Sequence, residues 1–114
     1  MWADAEEHLG IAEWAAHTPG EGRTAICHGE LAAETAVHDL VGVAIAHILI
    51  GRGHLDGDRP SPKAAAQAGL VSFDTVAAVP NETITTRVRQ LHQQLVPLQL
   101  EGLVAELGRQ VVAV

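Results

Sequence analysis

A chain of 114 residues with a formal net charge of −7 and a mean hydropathy of +0.15 holds one domain with a modest core. Acidity without a basic stripe, and aromatics at only 3%, exclude a conventional nucleic-acid surface, which needs cations for phosphates and rings for bases. A single cysteine, Cys27, excludes an internal disulfide.

The aromatic residues are Trp2, Trp14 and Phe73, so the interior must be built from Ala, Val, Leu and Ile, which favours close helix–helix contact. Charge is lopsided: residues 1–50 carry eight acids against Arg23, while residues 51–114 carry six acids and six bases. An acidic membrane surface repels such an N-terminal half. The opening Met1-Trp-Ala-Asp-Ala-Glu-Glu7 lacks the basic flank and apolar centre of a signal peptide. The longest apolar run, Leu40 to Ile50, contains His47 and falls short of the ~20 residues of a membrane helix. The expected location is cytoplasmic, with no membrane partner.

Residues 2–17 read as an amphipathic helix, with Trp2, Ala5, Leu9, Ala12 and Ala16 at helical spacing and Ile11 and Trp14 widening the apolar side. Thr18-Pro-Gly-Glu-Gly22 ends it. A second helix is predicted from Glu30 to Ile50, apolar on most sides and therefore central. Its rival is a strand over Val41–Ile50, where Val and Ile alternate with small residues. Gly51–Pro60 is a loop. Ser61 before Pro62 has the pattern of an N-cap and first-turn proline, opening a short helix to Ala68 that Gly69 stops. Ser72–Val79 suggests another short helix before Pro80. The last long segment spans about 83–112, with Ile84, Val88, Leu91, Leu95 and Leu98 in heptad spacing. Pro97 should kink or break it, and beyond Pro97 a stripe resumes through Leu100, Leu103, Val104, Leu107 and Val111. The expected fold is an all-α bundle of about four helices, with no internal repeat.

Seven histidines invite a metal. Asp4/His8, Glu13/His17 and Glu34/His38 each place a carboxylate four residues before an imidazole, on one helical face. Glu13, His17, Glu34 and His38 are the candidate ligands, although no H-E-x-x-H or E-x-x-H signature is present. The alternative purpose of these pairs is helix stabilisation by about 0.2–0.5 kcal/mol each. His38 and His47, about two and a half turns apart on one helix, would face opposite sides and share no ion. His47 among Ile45, Ile48 and Leu49 is expected to be a buried, satisfied histidine.

Other motifs are incomplete. His38-Asp39, with His28 and Asp56 or Asp58, is too compact for an HD-type phosphohydrolase. Cys27-His28 lacks an orienting third group for a nucleophile. Asp56-Gly-Asp58 opens like a calcium loop but continues with Pro60 where an oxygen ligand is needed and Gln67 where a bidentate Glu is needed. Gly51-Arg-Gly-His54 completes no phosphate-binding loop. Asn81-Glu-Thr83 matches a glycosylation acceptor, relevant only to a secreted chain.

With no catalytic constellation and a surplus of apolar surface, the expectation is a non-catalytic interaction protein without cofactor, a homo-oligomer or accessory subunit of a larger assembly. Its interface is assigned to the seam Ile84, Val88, Leu91 and Leu95, binding a protein partner. Two alternatives stand beside it: a metal- or ligand-binding protein using the histidine–carboxylate pairs, and a small regulator whose acidic half docks a basic site on a partner.

Overall fold

The computed structural model describes residues 4–36, 38–78, 81–99 and 101–113. Trp2, Val79, Pro80 and Leu100, each named above, and Val37 within the predicted 30–50 helix lie outside the described residues. The described residues form six α-helices and no strand: α1 (Ala5–Ala16), α2 (Gly22–Thr35), α3 (Leu40–Gly53), α4 (Pro62–Thr75), α5 (Glu82–Leu95) and α6 (Leu103–Ala113). The all-α class therefore holds and the count of about four helices does not.

The corrections have local causes. The segment predicted as one helix over 30–50 belongs to two longer-reaching helices, α2 starting at Gly22 and α3 running to Gly53 into the predicted loop. They are divided because Asp39 is an N-cap whose side chain accepts from the Gly42 N–H at 3.0 Å. That cap starts α3 afresh, and the strand alternative for Val41–Ile50 is excluded. The segment over 83–112 is not one kinked helix but α5 and α6, separated by Pro97 and by Gly102 at φ +64°. Ser61 caps α4 as predicted, accepting from the Ala64 N–H at 3.3 Å, but α4 runs through Gly69 and absorbs part of the second short helix. Gly69 is a packing position: a Cβ there would meet a Leu107 methyl at 3.0 Å.

Glu21 precedes α2 without a side-chain cap. Asp56, in the α3–α4 connection, supplies the function from a distance, accepting from the Gly20 N–H at 3.1 Å and the Gly22 N–H at 2.9 Å. Those two bonds hold the Asp56 carboxyl below the usual carboxylate range.

α3 is the centre of the molecule, packed against α1, α2, α4 and α5. Each helix touches only those one or two places away in sequence, and the result is a slab of 44 × 36 × 17 Å. α2 approaches α3 along a stripe of Gly22, Ala25, Gly29, Ala32 and Ala36, all buried. The backbones nearly touch: a Cβ on Gly53 would lie 2.7 Å from the Gly22 carbonyl oxygen, and one on Gly29 would lie 2.6 Å from Ile50 Cγ1. Toward the other end, Ile48 of α3 joins Ala65, Ile84, Val88, Leu91, Leu95, Val104 and Leu107 in the main core. Ser72 enters this interior as a satisfied polar group, its hydroxyl donating to the Ala44 carbonyl at 2.9 Å.

Candidate functional site

The α5 seam does not present a surface. Ile84, Val88, Leu91 and Leu95 are each 0% exposed within the single chain, covered by its own core. An interface there would require the domain to open, so this assignment is corrected.

The histidine–carboxylate pairs are also redirected. Asp4 caps α1 by accepting from the Glu7 N–H at 2.9 Å, while the His8 ring turns to α2 and meets His28, Nδ1 to Nδ1 at 2.9 Å. That contact between helices leaves no trace in sequence spacing. The His17 ring contacts the Glu13 backbone carbonyl at 2.8 Å, and the Glu13 carboxylate bonds to Arg87 instead. Glu34 is near the end of α2 and His38 lies beyond it, both exposed, so their spacing is not helical. Among the described residues no three His, Cys, Asp or Glu side chains converge as a metal site. His47 sits half-buried on α3, where desolvation pushes its imidazole below the ordinary value. It has no side-chain hydrogen bond to protein among the described residues, and since no buried side-chain nitrogen there lacks a partner, its ring nitrogens reach solvent.

A groove brings charged groups from three helices together. α1 and α5 both lean on α3 but do not pack against each other. The gap between them is a cleft of about 500 Å³, with Glu13 and His17 on one wall, Arg52 from the last turn of α3 at its floor, and Thr83, Thr86, Arg87 and Gln90 along α5. These α5 positions recur at helical spacing beside the buried seam, so one helix supplies core on one stripe and a polar wall on the next. His17 and Arg52 also line an adjoining hollow with Asp56 and Gln94, which extends the groove.

One ion pair crosses the gap: Arg87 Nη1 to Glu13 Oε2 at 3.2 Å, with side-chain exposures of 31% and 42%. Partly solvated, it contributes about 0–1 kcal/mol. Arg52 is half-buried beside it. Burial works against its charge, Glu13 supports it and Arg87 opposes it, and it makes no ion pair of its own among the described residues.

A second feature lies on another flank of α1. The helix buries Ala12 and Ala15 while Ile11 and Trp14 are 37% and 56% exposed. Two alanines face inward, Leu9 is partly buried, and Ile11 and Trp14 face outward. Glu7, Gly10, Ile11 and Trp14 surround a shallow apolar hollow of about 400 Å³, and Gly10 has open space where a Cβ would stand. The residues were legible in the sequence, but not which apolar side of α1 would be covered.

No helix among the described residues is long and apolar enough to cross a membrane. Compared with protein-family models, with curated proteins and with solved structures, the chain matches none.

Proposed function

We propose that this chain is a non-catalytic helical interaction protein that self-associates through the outer face of α1. The observation that carries this reading is the inversion of α1, which buries alanines and leaves Trp14 and Ile11 in water. Exposed large apolar side chains gathered on one helical face mark contact surfaces, and tryptophan is a frequent anchor in them. The face suits an isologous pair, in which Trp14 of each copy covers the Gly10 hollow of the other. So small a patch implies a weak, concentration-dependent dimer.

Trp14 is its own reporter once Trp2→Phe leaves it as the remaining tryptophan. Its emission should move to shorter wavelength on concentration, as the indole leaves water, and return on dilution. Emission that stays at the wavelength of a solvated indole across the concentration range would refute the reading.

A further inference from the structure

The α1/α5 groove carries a separate inference that does not depend on self-association. Arg52 and Arg87 reach it from different helices, and Glu13 stands with them. Arg52, Arg87 and Glu13 together hold two positive charges and one negative charge. Glu13 is already committed to Arg87, while the half-buried Arg52 makes no ion pair among the described residues. A cation in the last turn of α3 gains from the helix dipole whatever else it does. That gain explains its position in the helix but does not provide a partner for its planar fork of donors.

We propose that the groove binds a singly charged carboxylate, held by the guanidinium forks of Arg52 and Arg87, with Thr86 and Gln90 offering donors along the wall. Planar bidentate pairing is the geometry in which arginine recognises a carboxylate. Glu82 also lines the cleft, so its two arginines stand with two carboxylates, and the group left to receive the ligand is Arg52, which makes no ion pair among the described residues. A phosphate dianion would place excess negative charge beside Glu13 and Glu82 and is disfavoured. The polar wall suits a short polar acid over a long acyl chain. Such a carboxylate has two sources, a free hydroxy acid or the C-terminus of a peptide.

The test is an NMR titration of the full chain, following the amides of Arg52, Thr86 and Gln90. The probes are lactate, a tripeptide with a free C-terminus, the same tripeptide amidated, and inorganic phosphate. Saturable shifts with lactate assign a small-molecule source, and shifts with the free but not the amidated tripeptide assign a peptide end. Either supports the proposal provided phosphate binds more weakly. Arg52→Gln should weaken binding about tenfold or more, with helical content unchanged. Arg87→Lys, which keeps the charge and loses the fork, serves as the second variant and should also weaken it. The proposal is overturned if neither carboxylate gives saturable shifts, if phosphate or the amidated tripeptide binds as tightly, or if both variants bind like the wild type.

Discussion

At the scale of the residue, the structure separates side chains that looked alike in sequence. Leu91 and Trp14 both belong to apolar stripes, but Leu91 is 0% exposed and Trp14 is 56% exposed. Leu91→Asp should therefore unfold the domain, because a charge would enter a closed core without a partner. A folded but dissociated Leu91→Asp chain on circular dichroism and gel filtration would show the seam to be an interface after all. Ser72→Ala should cost about 1 kcal/mol in urea unfolding, since it removes the hydroxyl that donates to the Ala44 carbonyl without leaving a large cavity. His47 gives a pH signature. Its folded value is depressed below 6.5, so the unfolded chain binds the extra proton first. Stability from this group is fully present above about 6.5 and is lost as pH falls through the depressed folded value. His47→Leu should flatten the melting temperature between pH 7.5 and 5 relative to wild type, and an unchanged slope would place the acid sensitivity elsewhere.

At the scale of the element, helix type was legible and helix ends were less so. Ser61-Pro62 and the Thr18–Gly22 breaker announced themselves because capping chemistry and turn chemistry are local. The division at residues 36–39 did not, since no Gly or Pro stands there. The signal was Asp39 directly before an apolar run with Gly42 three places on, an N-cap pattern obscured by the continuous helical periodicity on either side. The cap of α2 could not be read locally at all, because Asp56 reaches it across 34 and 36 residues of sequence. Asp56→Ala should lower the melting temperature and fray α2 from its start, with hydrogen exchange at Gly22 and the residues after it rising first. The α2–α3 contact depends on absent side chains. Gly53→Ala would press a methyl against the Gly22 carbonyl and should destabilise by about 1–3 kcal/mol. A neutral Gly53→Ala would mean that the two helices have room to part.

At the scale of the whole molecule, low aromatic content and much Ala and Gly give thin spacing between helices and a flat outline rather than a deep interior. The slab hides the leucine seam that the sequence offered to a partner, and leaves uncovered an α1 face that looked like part of the core. The groove between α1 and α5 was illegible for a different reason. Glu13, Arg52 and Arg87 meet only through the order in which helices lean on α3, and no short-range pattern encodes that order. Self-association is tested most directly by sedimentation equilibrium of the wild type beside Trp14→Glu. We expect a wild-type mass that rises toward that of a dimer with concentration, and a Trp14→Glu chain that stays monomeric with its helical content intact, because its change lies on an exposed face. A wild type that remains monomeric at every concentration, or a Trp14→Glu chain that assembles as the wild type does, would contradict it.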